Sequence, residues 1–219
     1  MAPLEQLASP PIFEVICGLV FDPIPELTPV TIGEYWASKR DIYSSTQVHQ
    51  ALADEPGVIL GGLPPLRVWL VSYDDEFVLQ IQSDRFYLNW RARGREYPRF
   101  SDHQDRKGIR TRLLEEFEEF SKFCESHFGQ RPHPVRVELA KVDQFVELKH
   151  WDGFQDLAQL IPWLKDFAAF SKSGEPGISV RFGEQKSAGT LSVSMDLGRL
   201  MSEAAPARVL KLETRTNRS

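Results

Sequence analysis

The chain is poor in cysteine and has no long hydrophobic run. Its 219 residues include 2 cysteines, Cys17 and Cys124. They form no Cys-x-x-Cys pair, and each lies in an apolar or amphipathic pattern. This excludes a disulfide framework and a cysteine-rich zinc module, and it points to two buried thiols in a reducing compartment. No window has eighteen uninterrupted apolar residues, and the opening MAPLEQLASPP has no basic segment followed by an apolar run, so a cytoplasmic location and no membrane partner are expected. The net charge of -5 is small and gives no global support to a nucleic-acid or membrane partner.

Motifs of known chemistry are missing too. The histidines, His49, His103, His127, His133 and His150, form neither His-Glu-x-x-His nor a tight Cys/His cluster. Gly61-Gly62 is followed by no Gly-Lys-Ser/Thr, and there is no Gly-x-Ser-x-Gly elbow. The acidic trio Asp74, Asp75 and Glu76 lacks EF-hand spacing and reads as a solvated hairpin turn. No catalytic residue, cofactor or metal ligand is assigned, and an enzyme is not expected.

What the chain does have is a 42% hydrophobic, 26% charged composition with 14 Phe and 5 Trp, that of a folded protein with a sizeable core. Its clearest stretch is Phe77 to Phe100, FVLQIQSDRFYLNWRARGREYPRF. With Ser83-Asp84 as a two-residue turn, Ile81 opposes Phe86, Leu79 opposes Leu88 and Phe77 opposes Trp90, which makes one face wholly apolar. The other face carries Val78, Gln80 and Gln82 against Tyr87, Asn89 and Arg91. A one-residue slip would put Gln and Asn in the core, so the register is specified. RVWLVS adds a third strand to make a meander over 67–91.

Upstream, IFEVICGLVF alternates as a strand over 12–21, and a helix is expected from Thr31, with Thr31 and Glu34 as capping box and Val30 and Tyr35 as staple. Residues 1–10 read as an arm, and 44–65 as loop with a helical turn near 46–53. Downstream, apolar residues at Ile109, Leu113, Phe117, Phe120 and Cys124 give a helix over 108–128 with glutamates on its far side. VRVELAKVDQFVEL is a long or bulged strand, and 153–170 is a helix interrupted at Pro162. Strands follow at 178–182, 190–197 and 208–214. The element order repeats, so the expected fold is α+β, two related strand-helix-three-strand lobes over 10–130 and 131–216. Each has an antiparallel sheet with helices packed on one face, and the two pack as one globular unit.

PPIFEVICGLVF, QIQSDRFYLNWRARGREYPRF and VRVELAKVDQF together resemble a sporadically distributed bacterial family of uncharacterised proteins, the TIGR04255 family, best over 10–145. The resemblance implies Gln80, Gln82, Asp84, Arg85, Phe86, Asn89, Trp90, Arg91, Tyr97 and Pro98 as signature positions and implies no activity.

The leading functional expectation is a protein-recognition or assembly module that binds a protein partner or forms a homodimer through the second lobe. Its contacts would be Gln80, Gln82, Arg85, Tyr87, Asn89, Arg91, Tyr97 and Arg99, residue types that combine large contact area with directed hydrogen bonds. The alternative is a nucleic-acid-binding protein. Nine Lys or Arg residues lie between Arg85 and Arg112 against three acids, with Tyr87 or Tyr97 free to stack on a base. A third reading is an enzyme or sensor that holds an anionic small molecule between the lobes. The plainest reading of this segment is a solvated surface whose arginines pair with the Glu-rich helix.

Overall fold

The computed structural model describes residues 11–52, 66–95, 97–103, 105–152, 156, 178–186, 189–200 and 207–218. The chain divides into two compact units, one of residues 14–140 and 216–219, the other of 1–13 and 141–215. The strands and helices in chain order are β1 (Ile12–Phe21), α1 (Pro29–Ala37), β2 (Tyr43–Gln50), β3 (Leu66–Ser72), β4 (Phe77–Gln82), β5 (Arg85–Arg91), α2 (Ile109–Phe128), β6 (Pro134–Val146), β7 (Ile178–Lys186), β8 (Gly189–Leu200) and β9 (Ala207–Arg218).

In the larger unit the strand order is β2-β3-β4-β5-β1-β6. The β4–β5 hairpin has the register its alternation dictates, with Phe77 opposite Trp90, Leu79 opposite Leu88 and Ile81 opposite Phe86. β1 runs antiparallel along β5 and brings Val15, Cys17 and Leu19 onto the same apolar face. α2 lays its buried stripe, Ile109, Leu113, Phe117, Phe120 and Cys124, over that face. Phe86 meets Phe120 at 4.9 Å and Phe117 at 5.6 Å, and Phe21 and Tyr35 close the aromatic cluster. Each fully buried Phe contributes about 1.5–3 kcal/mol, so this cluster outweighs the roughly 1 kcal/mol of any helix cap. Gly108 precedes α2, where a Cβ would stand 2.5 Å from the Ser101 backbone, so the chain can enter the helix there only as glycine.

α1 starts earlier than expected. Thr28 is the N-cap, Pro29 the first helical residue, and Thr31 closes the box by accepting the Thr28 N–H. Pro29 decides this, because its fixed φ and missing donor suit the first turn. Val30, the expected staple, is 74% exposed.

In the smaller unit β9 lies between β6 and β8, with β7 outside β8. β7 and β8 form an antiparallel hairpin that sets Val180 opposite Met195 and Glu184 opposite Leu191. Trp151, Met195, Leu197 and Leu210 make its core, with Phe145, Val180 and Leu212 against them.

The α+β expectation is overturned. Nine strands and two helices are present among the described residues, and the sheet dominates the fold. The repeat of element order fails at β2, which occupies 43–50, where a loop with a helical turn was expected. With it the first half has four strands between its helices. β2 escapes a pattern search because YSSTQVHQ has no apolar alternation. Its ladder with β3, Val48 on Val68 and Thr46 on Leu70, defines it instead. The expected arm at 1–10, most of the 44–65 stretch beyond Leu52, and the expected helix at 153–170 apart from Asp156 lie outside the described residues. Among the described residues no helix is long and apolar enough to cross a membrane.

Candidate functional site

Residues that alternate with the apolar set on β1, β3, β4 and β5 form the second face of the larger unit's sheet. This face is polar and nonetheless buried. Gln80, Gln82, Arg85, Tyr87 and Asn89 all lie there with little exposure, Asn89 at 1%. Their partners come from far along the chain. The Glu138 carboxylate on β6 accepts the Tyr87 hydroxyl at 2.8 Å and the Arg136 guanidinium at 2.9 and 3.0 Å, with an Arg85 nitrogen 3.9 Å away. Burial, and next the Glu138 charge, push the Tyr87 hydroxyl up to about 12, so it stays a proton donor at neutral pH. The Tyr87 ring fills the space beside Gly18, where a Cβ would sit 1.9 Å from Cδ1.

Gln82 clasps the main chain of Leu52, accepting its N–H at 2.9 Å and donating to its carbonyl at 3.0 Å. Gln80 accepts from Arg67 at 2.6 Å. Asn89 donates to Glu14 at 2.7 Å, which fixes its amide orientation and leaves its Oδ1 without a hydrogen-bond partner. Trp69 stacks with His49 at 4.1 Å and lies under the guanidiniums of Arg67 and Arg91, at 5.3 and 5.0 Å. Burial first and then those two arginines lower the His49 pKa.

Six of the eight expected contact residues therefore share one face, and the other two do not. Tyr97 packs edge-on against Trp90, ring centroids 5.4 Å apart, on the opposite side of the sheet. Arg99 is exposed at a left-handed backbone position, φ 65°, and its carbonyl accepts the Ile109 N–H at 3.0 Å. Arg91 at the end of β5 and Arg93 and Arg95 beyond it meet the acidic β3–β4 turn rather than the Glu-rich helix. Arg91 pairs with Asp75 at 2.7 Å, Arg93 with Asp75 at 2.8 Å, and Arg95 with Glu76 at 2.7 Å and Asp74 at 3.1 Å. Glu76 also accepts the Trp90 indole at 3.0 Å. Lys107 of the basic segment does reach helix Glu115, at 2.6 Å, while Lys39 reaches Glu116 at 2.9 Å and also Glu119, and Arg131 reaches Glu118 at 2.9 Å.

Among the described residues β2 is the outermost strand of this unit, and no described strand pairs with the outer side of its backbone. Ser44 to Val48 and Gln50 are exposed, and no charged side chain occurs in the strand. Exposed apolar side chains lie around it, Val48 at 57%, Ile42 at 45% and Tyr73 at 73%. Both ends of β2 are held. Trp36 donates to the Tyr43 carbonyl at 2.8 Å, Tyr43 donates to Glu116 at 3.0 Å, and beyond Gln50 the Gln82 clasp grips Leu52. A second surface feature is an open groove of about 470 Å³ lined by Phe100, Val135, Val137, Leu139 and Thr216 to Arg218.

Burial raises both thiols, Cys17 to about 11 and Cys124 to about 12, so neither is a thiolate nucleophile at neutral pH. Among the described residues no three His, Cys, Asp or Glu side chains come together to hold a metal. No family model, curated protein or solved structure matches the chain. Sequence reasoning missed Glu14, Arg67, Glu138 and the β2 edge. Glu138 had a detectable signal, an acid that alternates with Val137 and Leu139 two residues after Arg136, its ion-pair partner on the same side of the strand.

Proposed function

We propose that this protein is a recognition module that takes an extended segment of another polypeptide as an added strand on the edge of β2. The observation that carries the reading is the edge itself, exposed, uncharged and fixed at both ends. Natural edges are ordinarily blunted by lysine, proline, bulges or cover, and from Ser45 to Gln50 the pairing of β2 with β3 is regular. An added strand is held by main-chain hydrogen bonds and selected by alternate side chains, a role for which Val48, Ile42 and Tyr73 are placed. Because the edge is fixed beforehand, binding orders little of the protein. The carboxylate partners of Arg91, Arg93, Arg95 and Lys107 weigh against a phosphate-binding role for the basic segment.

The test is selection of a random twelve-residue peptide library on the purified full chain, followed by binding to a Thr46→Lys/Val48→Lys variant. Both side chains are exposed, so the variant keeps its fold while adding charge to the edge. The expected result is a set of extended, β-branched peptides that lose affinity at least tenfold on the variant. Binders that hold the variant equally well would refute the reading. Nucleic acid that copurifies with the protein until high salt would also refute it.

A further inference from the structure

The β2 edge has the composition to pair with itself. We infer that its occupant is the β2 strand of a second copy of this chain, antiparallel about a twofold axis at Gln47; this rests on the reading of β2 as an adhesive edge.

The register follows from the sides on which the residues lie. Thr46 and Val48 oppose Leu70 and Val68 and share their side of the sheet, whereas Gln47 and His49 oppose Trp69 and Arg67 on the polar side. With the axis at Gln47, Thr46 of each copy meets Val48 of the other, a β-branched pair formed twice. Gln47 meets Gln47, and Ser45 meets His49. Like sides therefore stay aligned, and apolar and polar faces each run on from one copy to the next. The five residues from Ser45 to His49 pair as a regular ladder, and the register irregularity at Ser44, between Tyr43 and Ser45, stays outside it. A one-residue slip would set Val48 against Gln47 and exchange the faces.

Charge permits the pairing. Antiparallel strands with like charges directly opposite repel, and this strand brings none together. An isologous contact of this kind closes after two copies, because each copy uses the same β2 edge. It also buries Val48, an apolar side chain left 57% exposed in the single chain.

The test is the native mass by light scattering together with site-specific crosslinking on the full chain. Cys17 and Cys124 are buried, so introduced thiols report alone. The expected results are a dimer for the natural sequence, a monomer with an unchanged circular dichroism spectrum for Thr46→Lys/Val48→Lys, and disulfide-linked dimers on mild oxidation of Gln47→Cys. Ser45→Cys, which faces His49, should link at least tenfold more slowly, while Thr46→Cys/Val48→Cys should link readily. Directly opposed Cβ atoms come close enough for a disulfide. Three results overturn the inference: a monomer at high concentration, a dimer that survives the lysine pair, or Ser45→Cys linking as fast as Gln47→Cys. A monomer that still binds selected peptides through β2 would overturn the self-pairing and leave the proposed function standing. A monomer that binds none would remove both.

Discussion

Gly18→Ala tests whether the polar face is held together as the geometry requires. The added Cβ would stand 1.9, 2.4 and 2.7 Å from Cδ1, Cε1 and Cγ of Tyr87, so the ring must move. The backbone at Gly18 is outside the left-handed region, and on that ground alone alanine would stabilise by about 0.4–1 kcal/mol through the unfolded chain. Against this stand overpacking, at about 1–3 kcal/mol, and a displaced Tyr87 hydroxyl. Losing its 2.8 Å bond to buried Glu138 costs a further roughly 1–3 kcal/mol, softened because Arg136 still holds that carboxylate. The net expectation is a loss of about 1–5 kcal/mol, a large share of the total stability of an ordinary domain. Urea unfolding followed by tryptophan fluorescence reads it, with fully buried Trp90 as a natural reporter. The decisive comparison is the same substitution in a Tyr87→Ala background. With the ring gone the methyl has room, and Gly18→Ala should then lie within about 0.5 kcal/mol of neutral or stabilise. Equal cost in both backgrounds, or a cost below about 0.5 kcal/mol in the natural protein, would refute the reasoning.

Three further outcomes are expected. Thr28→Ala should cost about 1 kcal/mol and Glu34→Ala less than about 0.5 kcal/mol in the same assay, because Thr28 and not the Thr31–Glu34 pair caps α1; the reverse order would restore the later helix start. The thiols should stay silent to a disulfide reagent at pH 8 in the native state and react in urea, and prompt native reaction would contradict their burial. Because burial raises Cys17 to about 11 and Cys124 to about 12, the unfolded chain releases these protons first. Their contribution to stability is therefore complete below an ordinary thiol pKa of 9.0 and is lost as pH climbs through 11 to 12, as unfolding measured across that range should record.

The hairpin at 77–91 was legible because each apolar pair on it is large and any slip would bury amides. β1 and α2 were legible for the same reason, a periodicity in residues that must leave water. The fate of the second face was not. Gln80, Gln82, Tyr87 and Asn89 read as a solvent-facing row because polar residues usually are. What makes burial tolerable is a set of partners 30 to 75 residues away, Leu52, Glu138 and Glu14, and no local pattern announces them. β2 was invisible for the opposite reason. Exposed along most of its length, it has no burial to impose alternation, and its conformation comes from the strand beside it. The arginines were seen, but the partners of Arg91, Arg93 and Arg95 were sought in the following helix and lie in the preceding turn.

The pairing of that turn with the arginines has a consequence for ancestry. Asp74 and Asp75 answer Arg93 and Arg95 across a short gap, with both sides partly open to water. Asp75 also holds Arg91 and Asp74 also accepts the Ser72 hydroxyl, but Arg93 and Arg95 can give way to lysine with the charge pairing and the net charge preserved, so these two positions are free to drift. Glu76 is not, because its carboxylate also accepts the Trp90 indole in the interior. The arginine run, the most conspicuous part of this sequence to the eye, is thus a poor marker of descent. Distant kin are better sought by a glutamate and a tryptophan fourteen residues apart, with a glycine upstream that leaves room for a tyrosine ring.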